Sequence, residues 1–262
     1  HSPALAQATI RHACGWEPCP KNAAFLQWAR GNRDNIHAIV PADLNDAVWL
    51  DLSVGSPDLG NYADIEDAGK LHQRIMETVD GGRWTVDGGR WTVDGGRWTV
   101  DGSPSTVHRL PSTVDRPPST VPGIGRYDEV RPFYTTDAYE VRGNNGPEWR
   151  TVHIGLDIFM PPGTPVFAPL DGVVHSFQDN ANDRDYGPTI ILEHRVSNNL
   201  TFYTLYGHLT RTSLEGLKTG QTIHAGQAFC QIGPMPENGN WSPHLHFQVI
   251  LDILGLAGDF PG

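Results

Sequence analysis

Seven short runs between residues 164 and 251 decide the fold: Thr164-Pro-Val-Phe-Ala168, Gly172-Val-Val-His-Ser-Phe177, Thr189-Ile-Ile-Leu-Glu-His194, Thr201-Phe-Tyr-Thr-Leu-Tyr-Gly-His-Leu209, Gln221-Thr-Ile223, Ala228-Phe-Cys-Gln-Ile232 and His244-Leu-His-Phe-Gln-Val-Ile-Leu251. They are rich in β-branched and aromatic residues and recur at intervals of about ten residues, with Gly, Pro and Asn between them and no long helical pattern. That texture predicts an antiparallel, mainly β domain. The composition agrees: 29 Gly and 21 Pro make up about a fifth of the 262 residues, which favours turns and short strands over long helices.

Outward from this body the organisation changes. Residues 1–79 read as a small α/β extension. Asn22–Arg30 has an amphipathic helical pattern stopped by Gly31, Val48–Leu52 reads as a short strand, and Asp64–Val79 as a second helix. The extension is too small to bury a strong core alone and should pack on the β body. Residues 80–122 are repetitive. The heptapeptide Val-Asp-Gly-Gly-Arg-Trp-Thr runs three times from Val79 to Thr99, and Pro-Ser-Thr-Val recurs from Pro104, Pro111 and Pro118. Gly-Gly in every unit and the lack of a second apolar position exclude a coiled coil. The period of seven is too short for a solenoid. The segment reads as a low-complexity, disordered linker rather than a ladder of Trp84, Trp91 and Trp98. Residues 123–255 are expected to be the chemical body and 256–262 a C-terminal linker.

The net charge of −11 argues against nucleic acid as a partner, and no run reaches the roughly 18 apolar residues of a membrane span. No charged-then-apolar leader is visible at His1. Cys14, Cys19 and Cys230 form no disulfide framework. His12 near the Cys14/Cys19 pair lacks the second pair that a zinc knuckle would need, so these read as structural thiols.

Twelve histidines are present, and three segments stand out: His153-Ile-Gly-Leu-Asp157, Tyr206-Gly-His208-Leu209 and His244-Leu-His246-Phe247. In a strand, His244 and His246 share a face with Leu245 turned to the core, so one can ligate a metal while the other reaches its bound water. His153 and Asp157 also share a face, but four residues of straight strand span about 13 Å. Both can bind one ion only if the chain bends, which Gly155 permits. Two His and one carboxylate, with a fourth position for water, make a catalytic rather than structural zinc set. His175, His194 and His224 read as structural or surface residues without partners, and Asp179, Asp183 and Asp185 as a solvated acidic loop.

In this order on a β background, the segments resemble the lysostaphin/LytM-type zinc endopeptidases, the twenty-third metallopeptidase family, over residues 150–250. The spacer Gly163-Thr-Pro-Val166, Ala168-Pro-Leu-Asp-Gly-Val-Val174 and Gly220…Gly226-Gln227 matches too. The resemblance implies an antiparallel β metallopeptidase domain in which Zn2+ is bound by His153, Asp157 and His246. It implies that His208 and His244 serve the water and the transition state, on a peptide or peptidoglycan-like substrate. Two departures stand near the expected groove without touching a ligand: the loop Pro234–Pro243, and Gln248 where the family often carries Glu. Leu50–Pro57, Gly123–Val130 and Gly258–Gly262 look like the central part of multidomain proteins that flank such a domain with phosphotransferase-like and class-III aminotransferase-like neighbours. That context implies a cytoplasmic protein, whereas a cell-wall hydrolase would be extracellular. Two alternatives remain open at this point: a non-catalytic binding or scaffold module, and an amide hydrolase of a small metabolite.

Overall fold

A computed structural model of the chain describes residues 19, 21–79, 90–94, 97–101, 121–143 and 146–261. Among the described residues three helices, α1 (Lys21–Gly31), α2 (Tyr62–Glu66) and α3 (Ala68–Val79), precede most of the strands. The strands in chain order are β1 (Val48–Trp49), β2 (Arg90–Asp94), β3 (Arg97–Asp101), β4 (Gly123–Gly125), β5 (Glu129–Val130), β6 (Glu140–Gly143), β7 (Gly146–Trp149), β8 (Val152–His153), β9 (Leu156–Phe159), β10 (Pro165–Phe167), β11 (Gly172–Asn180), β12 (Gly187–Ser197), β13 (Leu200–Gly207), β14 (Thr222–Ile223), β15 (Ala228–Gln231) and β16 (His244–Ile250). All seven runs expected as strands between 164 and 251 form strands.

Eight strands make one sheet in the order β1-β4-β9-β16-β13-β12-β11-β14. Every pairing in it is antiparallel except β1 with β4. Its central strands are covered on both faces. Ile190 and Leu192 enter the main core with Ile158, Val174, Tyr206 and Leu245, whereas Ile191 and Leu205 face the other way against Ile250 and Ile253. A strand buried on both faces reads as a continuous apolar run, which is why Ile190-Ile-Leu192 shows no alternation. Along β16, Leu245 and Phe247 point to the main core, so His244, His246 and Gln248 share the opposite face.

Helices α2 and α3 lie over that second face. Leu71, Ile75 and Val79 line one side of α3 and are buried with Leu50, Leu52, Leu59, Ile65, Phe133, Phe159 and Trp241. The single helix expected over Asp64–Val79 is broken at Asp67. Its backbone is extended there, and its side chain accepts hydrogen bonds from Gly69 N and Lys70 N, capping a new helix. Upstream, Asn61 and Asp64 form a reciprocal capping box. Of the strand expected over Val48–Leu52, only Val48 and Trp49 pair, with Gly123 and Ile124, while Leu50 and Leu52 are buried in the helical cluster. In α1, Phe25 and Trp28 pack on Phe202 of β13.

Within the segment read as a low-complexity linker, β2 and β3 pair antiparallel with Asp94 opposite Arg97; apart from these strands and 121–122, it lies outside the described residues. The segment 256–261 is tied to the sheet. Gly258 N donates to Ser176 Oγ, Gly258 O accepts from Asn180 Nδ2, and Pro261 O accepts from Gln248 Nε2. Among the described residues, no helix is long and apolar enough to cross a membrane.

Burial of Leu59, Ile65, Leu71, Ile75 and Val79 contributes about 1.5–3 kcal/mol each, roughly 10 kcal/mol together, which is comparable with the net stability of a whole domain. Leu71→Ala, at a position 2% exposed, is expected to lower the unfolding free energy by about 2–5 kcal/mol. A single cooperative urea transition, followed by tryptophan fluorescence and far-UV dichroism together, would check that cover and sheet unfold as one.

Candidate metal centre

Three strands bring three donors to one point. His153 ends β8, Asp157 is in β9, and His246 is in β16 directly opposite Asp157. The break at 154–155 turns the chain between β8 and β9, so His153 Nε2 lies 3.1 Å from Asp157 Oδ1. His246 Nδ1 lies 3.1 Å from the same oxygen and 3.0 Å from His153 Nε2. The role of Gly155 differs from the expected backbone freedom: a Cβ there would fall within 2.5 Å of His246 Nε2, so its lack of a side chain makes room for the imidazole. Gly207, opposite His246 in β13, has a similar role, because a Cβ there would strike the ring of Tyr186 at 2.8 Å.

The ring nitrogens are assigned by their outer partners. A carbonyl only accepts, so His153 Nδ1 donates to Arg126 O (2.8 Å) and leaves a lone pair on Nε2. Gln248 Nε2 donates to Pro261 O, which turns Oε1 toward His246 Nε2 at 3.2 Å and leaves the His246 lone pair on Nδ1. Asp157 Oδ2 accepts from Arg131 Nη1 at 2.5 Å, and Oδ1 faces the two imidazoles. Three acceptor atoms thus meet with no proton assigned between them. Zinc bonds N and O ligands at about 2.0–2.2 Å, which separates tetrahedral ligands by roughly 3.3 Å. The observed spacing and the two-His, one-carboxylate chemistry fit such an ion.

His208 and His244 are oriented in the same way. His208 Nδ1 donates to Asn238 O at 2.9 Å and His244 Nδ1 to Ser242 O at 2.6 Å, leaving both Nε2 atoms as acceptors. The His244 Nε2 atom lies 3.5 Å from Asp157 Oδ1, and the two histidine rings are 4.3 Å apart. His208 occupies the left-handed backbone region at φ 62°, where β-carbon crowding disfavours ordinary residues. Its N–H donates to Tyr186 O and its carbonyl accepts from Gly233 N, which hold it there. All five side chains are buried, none more than 5% exposed.

This geometry corrects one expectation: Gln248 contacts a member of the triad. The Pro234–Pro243 loop supplies the carbonyls that hold His208 and His244. The loop Asp179–Asp185 is braced as well: Asp179 pairs with Arg211, Asp183 accepts from Asn240, and Asp185 accepts from Asn182 and Tyr186 N. His194 is structural as expected: its Nδ1 donates to Asp171 O and its Nε2 accepts from Thr204 Oγ1. His175 meets Ser176, and His224 sits 3.5 Å from Asp171, so neither lacks a partner. Cys19 and Cys230 are free thiols; Cys14 lies outside the described residues.

Sequence reading missed the charges behind the triad. Arg131 Nε donates to Glu129 Oε2 at 2.9 Å, and Glu129 Oε1 accepts from Leu52 N, so an acid–base–acid row runs through the interior to Asp157. Burial pushes the Asp157 carboxyl up, but the His153 and Arg131 charges outweigh it and hold the group well below the ordinary carboxylate range. Burial lowers His153, lowers His208 strongly, and brings His244 to about 4. These histidines take up a proton at lower pH in the folded chain than in the unfolded one, where histidines titrate near 6.5.

Acid therefore protonates the unfolded state first. The metal-free protein keeps this contribution fully above pH 6.5 and loses stability as pH falls toward 4. Urea midpoints measured across that window should drop, and His244→Gln should make the drop shallower. Removing one partner of a buried ion pair costs about 3–5 kcal/mol, and outer-shell changes typically weaken metal binding about 10–100-fold. Arg131→Met is expected to show both, with saturating zinc recovering part of the stability because it compensates the unpaired buried charge of Asp157.

Residues 151–253 match the family described as Peptidase family M23. Peptidoglycan DD-endopeptidase ShyC of Vibrio cholerae is 35% identical over 101 residues, 38% of this chain and 20% of its own length. L-Ala--D-Glu endopeptidase of Bacillus subtilis is 31% identical over 118 residues, 43% of this chain and 33% of its own. The chain thus spans about a fifth to a third of the length of these curated relatives. The crystallized catalytic domain of the antimicrobial peptidase lysostaphin from Staphylococcus simulans is 29% identical, covering 44% of this chain and 75% of that one, with a TM-score of 0.30. The segment 151–253, with the His153–Asp157–His246 donor set at its centre, is thus similar to peptidase family M23.

Proposed function

We propose that this chain is a zinc-dependent hydrolase of peptide bonds, acting on peptides of the peptidoglycan type. The observation that carries the reading is the meeting of three lone-pair donors, His153 Nε2, Asp157 Oδ1 and His246 Nδ1, within 3.1 Å of one another. The names of the curated relatives support the substrate class.

His153, Asp157 and His246 would hold the zinc ion, which when bound would supply an acidified water and Lewis-acid polarisation of the scissile carbonyl. The protein's own groups do the rest. Arg126 O and Gln248 Oε1 fix the two ligand imidazoles, and Arg131 fixes the carboxylate. His208 and His244 each present a neutral Nε2 to the site, so either can take the proton of the attacking water. Once charged, the same imidazole can donate to the developing oxyanion or to the leaving amine. Burial holds both in the base form, the form needed at the start of the reaction. Phe159, stacked 4.7 Å from His244, excludes water from one side of that ring.

The flanking resemblance supports phosphotransferase-like and aminotransferase-like neighbours in the full-length protein, which would go with a cytoplasmic location, whereas a cell-wall hydrolase would be extracellular. Sequencing the complete gene tests both.

Zinc content and hydrolysis together test the mechanism. His153→Ala should lose the metal and the activity. His208→Ala and His244→Ala should keep close to one zinc per chain while hydrolysis falls about 10²–10⁴-fold. Full zinc-dependent activity in His153→Ala would show the assignment to be wrong.

A further inference from the structure

One of the two histidines beside the metal donors is aimed by a chain of contacts that begins in the N-terminal extension. His244 Nδ1 donates to Ser242 O at 2.6 Å, which leaves Nε2 facing the site. Ser242 precedes β16, and the register with β9 starts only at His244, so no ladder bond sets the Ser242 carbonyl. Within the peptidase-like segment the chain is tied one residue earlier, where Asn238 bonds both the N–H and the carbonyl of Trp241. Ser242 is tied from elsewhere. Its hydroxyl shares a hydrogen bond of 2.8 Å with His72 Nδ1, and His72 belongs to α3, well outside residues 151–253. A hydroxyl both donates and accepts, so this bond forms with either tautomer of the ring.

Helix α3 is a firm base for such a contact. Leu71 and Ile75 are buried in the helical cluster and also line the cavity onto which the metal donors open. The backbone that carries His72 is therefore set by close packing rather than by the hydrogen bond itself. Ser242 is 3% exposed, so water does not compete freely for its hydroxyl. Pro243 narrows the backbone of Ser242 to extended conformations, and the side-chain contact selects among those that remain.

We propose that His72 is a positioning residue of this site: by holding Ser242 it fixes the carbonyl that aims His244, so the N-terminal extension is part of the hydrolytic machinery. The consequence for turnover rests on the hydrolase reading, whereas the orientation of His244 rests on the three-residue geometry alone. His72→Leu removes the bond and keeps an apolar side chain, and His72→Asn puts an amide atom where Nδ1 stood. Nitrogen-15 NMR of the metal-free full chain reads the orientation: the Nδ1 proton of His244 gives a downfield signal, identified by its loss in His244→Gln. That signal should move upfield and exchange faster with solvent in His72→Leu, and return in His72→Asn. With zinc and a soluble cross-linked muropeptide, kcat should fall about 10–100-fold in His72→Leu at unchanged KM and zinc content, and His72→Asn should restore most of it. Ser242→Ala breaks the same bond from the other side, and combined with His72→Leu it should cost no more than either change alone. An unchanged His244 signal in His72→Leu and Ser242→Ala overturns the proposal, as do additive losses in the double variant or equal losses in His72→Leu and His72→Asn. Absence of hydrolysis in the zinc-loaded wild type counts against the hydrolase reading, and the NMR signal then decides the positioning on its own.

Discussion

Three acceptor atoms pointed at one another repel, and the centre of this protein is built so that they cannot turn away. The lone pairs of His153, Asp157 and His246 converge because each donor is held from behind by a group with only one way to bond. Arg126 O takes the free N–H of His153, Gln248 Oε1 that of His246, and Arg131 grips the outer oxygen of Asp157. A divalent cation at the centre turns this repulsion into attraction, so the metal-free fold carries a local cost that binding removes. The outer groups matter as much as the ligands, since without them the rings would rotate to relieve the clash.

The sheet supplies the positions of these groups. Asp157 and His246 are register partners in β9 and β16, and Gly207 lies opposite His246 on the other side, where any side chain would displace Tyr186. The alternation of β16 sends Leu245 and Phe247 to the main core and His244, His246 and Gln248 to the opposite face. Burial on that face requires a second apolar layer, which α2, α3 and the 133–134 aromatics provide. One layer thus does two things: it completes the domain and it encloses the chemistry. The buried row Glu129–Arg131–Asp157 passes between them, and its charges are tolerable only because each is paired.

Much of the site was legible because strands have period two and histidines are chemically conspicuous. His244-x-His246 placed two rings on one face, and His153-x-Gly-x-Asp157 asked for a bend that the chain makes at 154–155. Less visible were the groups whose role is a backbone carbonyl. Arg126, Asn238 and Ser242 contribute oxygen atoms that every residue has, and no side-chain pattern marks them. Gln248 was conspicuous, yet its contact with His246 depends on Pro261 O turning its amide, a contact thirteen residues away in the chain. The helix expected over Asp64–Val79 breaks at Asp67, because a carboxylate that caps two amides outweighs the propensity of its neighbours to continue.

The strands from Thr164 to Leu251 and the candidate donors can be read from the amino-acid order, because they depend on local periodicity and on the identity of a few side chains; the choice of His246 over His244 as a ligand rested on the family resemblance. Other features exist only in the folded chain: Arg131 and Glu129 stand behind Asp157, Gly155 yields space to His246, and Leu71 and Ile75 wall the cavity. Those are contacts between residues tens to more than a hundred positions apart, and what fixes them is the shared burial of two apolar layers rather than anything within a single segment.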